Sequence, residues 1–326
     1  MGFFRFLLAA LVVASHMGIT FSGLNPGVSS VVIFYYLAGS VVARLWQRLQ
    51  TQKQGAAALQ SFLIDRFWRI APMYYFTVSV ALAVWAAGAD SYFLSGLKDS
   101  GFIAKLAENF LVLPLNYYMY SGIDTATLIP PAWSLAVELQ FYLLMPFLLW
   151  SRPILLAMLA ASLVVFSVSQ SSLLSTDVFG YRLLPGVLYI FLCGALMDMH
   201  DHRLKRLVWL IWGGISVFAV VLFTRLPEWQ APFNREVALG FALGVPLVFG
   251  LPKLKFRGTI YHANRYAGVL SYGVFLGHFP VIWIYELAVP SAAQSFPAVL
   301  AGSSVLALTG HLLIEKPLWK RFRTLL

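Results

Sequence analysis

Charged residues are scarce in this sequence. Asp, Glu, Lys and Arg together make up 11% of its 326 residues, whereas soluble domains carry about 25%. This shortage excludes an ordinary soluble protein, because too few charged groups are present to cover a surface exposed to water. Cysteine is nearly absent as well. The one thiol, Cys193, excludes a disulfide within the chain and argues against a cross-linked extracellular domain.

Apolar residues take the place of the missing charge. They make up 60% of the chain, and the mean hydropathy is +0.78, values typical of a polytopic membrane protein. The net charge of +10 does not indicate nucleic-acid binding, because the basic residues lie in short loops where membrane topology explains them. We expect an all-α bundle in the cell (inner) membrane, with a single membrane domain over residues 1–326 and no appended soluble domain.

The apolar runs predict about ten transmembrane helices. Their expected ranges are 3–21, 28–46, 70–88, 133–150, 154–170, 182–198, 207–224, 233–251, 267–287 and 297–314. If the N-terminus is inside, most of the 23 Lys and Arg residues fall in segments on the cytoplasmic side. This bias predicts that both termini are cytoplasmic.

The first predicted span contains two ionisable residues, Arg5 and His16. Eleven residues of helix amount to three turns plus about 20°, so the two side chains share one face and lie about 16 Å apart along the axis. Ionisable groups inside a bilayer usually face the bundle interior or an aqueous path. The pair indicates that this face of the helix has a functional role. The alternative is that Arg5 is a topological anchor and His16 a core histidine.

Two arginines follow in the first cytoplasmic loop, in the sequence Asp65-Arg-Phe-Trp-Arg-Ile-Ala-Pro72. If this segment is helical, Arg66 and Arg69 share a face because they are three residues apart. The forked guanidinium group suits a phosphate-bearing polyanion. The alternative is ordinary positive charge on the cytoplasmic side of the third span.

A carboxylate lies inside the fourth predicted span. Ser134, Glu138 and Tyr142 are spaced by four residues and stack on one helix face. An ionised carboxylate below the membrane surface is costly without a partner, and we expect His16 to lie at a compatible depth. The alternative is a structural hydrogen bond from Glu138 to a neighbouring helix.

Two further histidines lie in the last predicted spans. His278 falls near the middle of the ninth span, and His311 precedes Glu315 by four residues at the inner boundary. The ordinary interpretation of each histidine on its own is structural.

Taken in order, these residues follow the pattern of a known family along essentially the whole chain. The matching positions are Arg5 with His16, Gly39, Arg66 with Arg69, Trp133 to Leu135 with Glu138, Ser271 to Gly273 with His278 to Pro280, and Glu315 to Pro317. In this arrangement the chain resembles the acyltransferase 3 family of integral membrane O-acyltransferases.

The resemblance implies transfer of an acyl group, expected to be acetyl, from cytoplasmic acyl-CoA to a hydroxyl of a glycan such as an exopolysaccharide or a lipid-linked sugar. It implies that Arg5, Arg66 and Arg69 bind acyl-CoA. His16 would act as the general base, and Glu138 would orient its ring. Three further side chains would support the site: Ser134, Tyr142 and His278.

We therefore expect acetyl-CoA or another acyl-CoA as co-substrate, with no tightly bound cofactor and no metal. The expected partners are this donor, a glycan or small-molecule hydroxyl acceptor and the lipid bilayer, but no nucleic acid; a homo-oligomer stays open. One alternative is a transporter or flippase in which buried His and Glu residues relay protons. Another is the other large family of membrane O-acyltransferases, but its histidine with a preceding asparagine has no clear match here.

Overall fold

The computed structural model describes residues 1–171, 173–224, 231–289 and 294–322. Within these ranges the chain is helical and forms no strand beyond an isolated bridge between Phe21 and Leu24. The long helices are α1 (Gly2–His16), α2 (Pro26–Gln52), α3 (Gly55–Ala86), α7 (Ala132–Trp150), α8 (Arg152–Gln170), α9 (Leu184–Met197), α10 (His202–Thr224), α11 (Asn234–Gly250), α12 (Gly258–Ala288) and α13 (Phe296–Gly310). The short helices are α4 (Tyr92–Ser95), α5 (Phe102–Leu111), α6 (Tyr118–Ser121) and α14 (Lys316–Phe322).

Eight helices in the described ranges are long and apolar enough to cross a membrane. They are Pro26–Gln52, Gly55–Ala86, Ala132–Trp150, Arg152–Gln170, Val178–Met197, His202–Thr224, Gly258–Ala288 and Phe296–Phe322. The predicted all-α, multi-pass membrane architecture is confirmed. The cytoplasmic position of both termini and the single-domain organisation stay predictions.

Two of the ten predicted spans correspond to shorter helices than expected. The first was predicted over 3–21, but α1 ends at His16 after 15 residues, and α11 has 17 residues. Helix α1 stops because Gly18 adopts a φ of 78°, in the left-handed region that a continuing helix does not allow. Apolar residues such as Ile19 and Phe21 continue beyond this point, which is why hydropathy predicts a longer helix. At 1.5 Å per residue α1 is about 22 Å long, less than the hydrocarbon thickness of about 30 Å.

The contacts divide the chain into two compact units. The first unit comprises Met1–Met17, Ile64–Ala136 and Phe256–Leu326, and the second comprises Gly18–Leu63 and Val137–Lys255.

In the first unit, α1 and α12 run side by side in the same direction. Phe3 N donates to Asn264 Oδ1 at 2.9 Å near the start of both helices, and His16 meets His278 near the other end. The sequence separations at these contacts are 261 and 262 residues, so the register shifts by only one residue over about three and a half turns. The helices touch at Gly2, where an added Cβ would lie 1.6 Å from the Asn264 carbonyl oxygen.

The segment between α3 and α7 folds around a buried amide. Asn109 is fully buried. Its Nδ2 donates to the Ala126 carbonyl at 2.8 Å, and its Oδ1 accepts from Leu128 N at 2.8 Å. Tyr74 of α3 donates its hydroxyl to the Asn109 carbonyl at 2.7 Å. These bonds fix the short helices of this segment to α3.

In the second unit, α2 packs against α9 at close range. A Cβ on Gly39 would lie 1.9 Å from the Phe191 carbonyl oxygen, so only glycine fits there. The ring of Phe191 stacks between Tyr35 and Phe141, with centroid distances of 4.6 and 4.5 Å. This contact explains why the sequence has Gly39 within an otherwise bulky apolar helix.

Candidate active site

Two histidines meet inside the first unit. Nε2 of His278 lies 3.0 Å from Nδ1 of His16, and the ring planes are 17° apart with centroids separated by 5.0 Å. His278 is fully buried on α12, whereas His16 is the last residue of α1 and is exposed. The pair therefore has one ring fixed in the protein interior and one ring at the point where the chain leaves the helix.

The second nitrogen of the buried ring faces backbone carbonyl groups. Nδ1 of His278 lies 2.8 Å from the Phe275 oxygen and 3.4 Å from the Val274 oxygen. A carbonyl oxygen only accepts hydrogen bonds, so Nδ1 must carry the proton. In the neutral ring Nε2 of His278 is then an acceptor, and Nδ1 of His16 must donate to it. This places the lone pair of a neutral His16 on Nε2.

Aromatic side chains surround the histidine pair. The Phe279 ring lies 5.0 Å from the His16 ring and 4.9 Å from the His278 ring, measured between centroids. Trp283 packs on Phe279 from within α12, and Phe93 of α4 packs on it edge-on at 5.2 Å. Phe279 thus packs against both imidazole rings, and His278 is shielded from water whereas His16 stays accessible.

A second polar cluster lies around Glu315, whose side chain is 1% exposed. Its Oε1 accepts from Arg69 at 2.9 Å and its Oε2 pairs with Nδ1 of His311 at 2.7 Å. The Arg69 guanidinium also lies over the rings of Tyr272 and Trp319, with distances of 5.5 and 5.2 Å to their centroids. Arg69 is thus held in one orientation by a carboxylate and two aromatic faces, while a quarter of its side chain is accessible, at 26%.

The other two basic residues of the predicted acyl-CoA site also belong to the first unit. Arg66 is buried and pairs with the neighbouring Asp65, with Nε donating to Oδ2 at 3.1 Å. Arg5 is half-buried on α1. Eleven residues of helix separate Arg5 from His16, which puts Arg5 about 16 Å from the histidine pair along the axis of α1.

The remaining predicted site residues all lie on α7. Tyr142 donates its hydroxyl to Glu138 within the same helix, as their four-residue spacing predicts. The Ser134 hydroxyl donates to the Pro131 carbonyl at 2.9 Å. The predicted pairing of Glu138 with His16 joins residues of the two units, and it stays a prediction.

Sequence reasoning missed the partner of each central residue. It named His16 and His278 but did not pair them, although the Arg5-to-His16 stripe already pointed to one face of α1. It predicted that Arg69 binds phosphate, but it did not predict that Glu315, 246 residues away in the chain, is the ion-pair partner of Arg69. Among the described residues, no group of three or more His, Cys, Asp or Glu side chains is arranged to hold a metal ion.

The long apolar helices and the hydrogen-bonded histidine pair define the class: a multi-pass α-helical membrane protein with a candidate proton-transfer site. The chain belongs to the acyltransferase 3 family, because the sequence model of this family, described as an acyltransferase domain, matches residues 2–316. The resemblance seen in the sequence is confirmed, and the protein is a multi-pass membrane acyltransferase.

Two relatives show how far the similarity extends. An uncharacterized protein of Aquifex aeolicus is 38% identical over 162 residues, which cover 48% of this chain and 72% of that protein. The peptidoglycan O-acetyltransferase OatA of Listeria monocytogenes is 25% identical over 97% of this chain. The chain spans 55% of the length of OatA, about half of that protein. No solved structure matches this chain.

Proposed function

We propose that this protein transfers an acetyl group from acyl-CoA to a hydroxyl of a cell-envelope glycan. The observation that carries the proposal is the hydrogen-bonded pair of His16 and His278 in a member of a membrane acyltransferase family. The similarity to a peptidoglycan O-acetyltransferase supports a glycan acceptor and an acetyl group.

His16 is the general base in this proposal. Its Nε2 takes the proton of the acceptor hydroxyl as the oxygen attacks the thioester carbonyl carbon. The tetrahedral intermediate then collapses, the bond from carbon to sulfur breaks, and the His16 imidazolium returns the proton to the coenzyme A thiolate. One ester and one free thiol are formed, and His16 ends in its starting protonation state. Glu138 would stabilise the imidazolium. Ser134 and Tyr142 are candidates to stabilise the oxyanion, and to do so each hydroxyl would have to turn from its present acceptor, the Pro131 carbonyl and Glu138.

The donor would bind from the side of the basic residues. Arg69 is held by Glu315 through one nitrogen, so its remaining N–H groups suit a phosphate of coenzyme A. Arg66 and Arg5 would add positive charge there. The pantetheine arm would extend from these cations along α1 to His16, over a rise of about 16 Å. In this arrangement the donor phosphates are cytoplasmic, as both termini would be.

The test uses purified protein in liposomes with radiolabelled acetyl-CoA and soluble muropeptides, which carry the sugar hydroxyls of peptidoglycan. We expect labelled, alkali-labile ester on the muropeptides and binding of acetyl-CoA in a separate filter assay. A folded protein that binds no acetyl-CoA would contradict the donor assignment. Binding of acetyl-CoA with label released only to water would contradict the muropeptide acceptor. A transporter would bind or move substrate but form no ester.

A further inference from the structure

We propose that His278 is a positioning residue that fixes the tautomer of His16 through a two-imidazole relay ending on the Phe275 carbonyl. The inference rests on the proposed function, in which His16 is the base, and it adds the reason why Nε2 rather than Nδ1 takes the proton. His278 does not touch the reacting atoms in this scheme.

The direction of the relay follows from its buried end. With the opposite tautomer of His278, a lone pair on Nδ1 would face two carbonyl oxygens at 2.8 and 3.4 Å. In a fully buried ring this would set a lone pair against two carbonyl oxygens and lose the hydrogen bond to the Phe275 oxygen, in a medium without water to replace it. The backbone carbonyls thus hold the proton of His278 on Nδ1. Because Nε2 of His278 is then an acceptor, the proton of neutral His16 is held on Nδ1 as well.

The ring positions are fixed by packing as well as by hydrogen bonds. Phe279 lies against both imidazole rings, and the described residues around His278 include the buried Trp283. A rigid orienting ring matters because a base that samples both tautomers presents the wrong nitrogen for part of the time.

The relay also assists the chemical step. When Nε2 of His16 takes the substrate proton, the ring becomes an imidazolium, and its Nδ1–H bond to His278 becomes charge-assisted and stronger. His278 stays neutral and accepts this bond. The hydrogen bond from Nδ1 of His278 to the Phe275 carbonyl polarises the His278 ring, which makes Nε2 a stronger acceptor for His16. The gain appears only after proton transfer has begun, so it lowers the barrier rather than tightening substrate binding.

The first test replaces His278 by two residues of contrasting chemistry. In His278→Gln the amide can accept from His16 and donate to the helix carbonyl, which preserves the pattern of the relay. In His278→Leu the acceptor is lost. We expect kcat of the Leu variant to fall about 10²-fold or more, with KM for acetyl-CoA unchanged, and kcat of the Gln variant to stay within about tenfold of wild type. His262→Leu, an exposed histidine of the same helix, is the matched control and should behave as wild type.

Thermal unfolding of each variant separates this role from a structural one. If the Leu and Gln variants lose activity equally, or if His278→Leu keeps wild-type kcat while folded, the relay is overturned. A fall in kcat that merely follows the loss of folded protein in both variants also counts against it.

The second test places methylated histidines at position 16. Nδ1-methylhistidine keeps the basic Nε2 but cannot donate to His278, so its kcat should match that of His278→Leu, and combining the two changes should cost little more. Nε2-methylhistidine keeps the donor but blocks the base, and we expect it to be inactive. Activity in the Nε2-methyl protein would overturn the proposed function. Full activity in the Nδ1-methyl protein would overturn only the relay.

Discussion

Removing the charge of Glu315 is expected to destabilise the protein and to weaken binding at the proposed acetyl-CoA site. The carboxylate is 1% exposed and accepts from Arg69 at 2.9 Å and from His311 at 2.7 Å. Glu315→Gln keeps the shape but leaves the Arg69 cation without its counter-charge. Breaking a buried ion pair costs about 3–5 kcal/mol. Because the Arg69 side chain is 26% exposed, solvent screening reduces the expected loss to about 2–3 kcal/mol.

The assay is reversible unfolding in mixed micelles, read by tryptophan fluorescence, together with titration of acetyl-CoA. We expect a lower free energy of unfolding and weaker acetyl-CoA binding, since Arg69 loses the partner that orients it. Glu286→Gln is the matched control, because Glu286 is exposed on α12 and contacts Gln294. If Glu315→Gln is as stable as Glu286→Gln, the cluster contributes no net stabilisation and the reasoning is refuted.

Three further predictions concern the rest of the site and its support. Arg66→Ala and Arg69→Ala should raise KM for acetyl-CoA more than they lower kcat. Arg69→Lys should restore binding only in part, because the guanidinium fork is lost. Unchanged KM in both Ala variants would refute the phosphate role. Glu138→Gln and His16→Ala should be strongly non-additive in single-turnover rates, whereas additive losses would show that they act independently. Asn109→Leu should leave the Ala126 carbonyl and the Leu128 N–H unsatisfied, at a cost of about 2 kcal/mol or more, and limited proteolysis should then cleave the segment between α3 and α7 faster than in wild type.

The helices could be predicted from sequence because hydropathy depends on composition along the chain. Each of the ten predicted spans overlaps a helix; the largest boundary error is at the start of α3, which begins at Gly55 rather than at residue 70, and a smaller one is at the end of α1. There the apolar residues Ile19 and Phe21 follow Gly18, whose left-handed backbone had already ended the helix. Backbone conformation at a single glycine is not encoded in hydropathy.

The contacts within the site could not be predicted in the same way. Helical periodicity placed Arg5 and His16 on one face of α1, but it contains no information about which helix lies opposite. The partner of His16 depends on the register of α1 against α12, and this register is set by close approach at Gly2 and Asn264. In an apolar helix the lipid-facing and protein-facing positions have similar composition, so pairing across 262 residues needs the structure.

The most direct measurement of the central claim is the single-turnover rate of acetyl transfer by the His16→Ala variant in liposomes, with acetyl-CoA binding measured on the same preparation. If His16 is the general base, the rate falls by about 10²–10⁴-fold while the affinity for acetyl-CoA and the folded fraction stay at wild-type values. A His16→Ala protein that transfers acetyl groups at a rate close to wild type would contradict the assignment of His16 and the mechanism built on it.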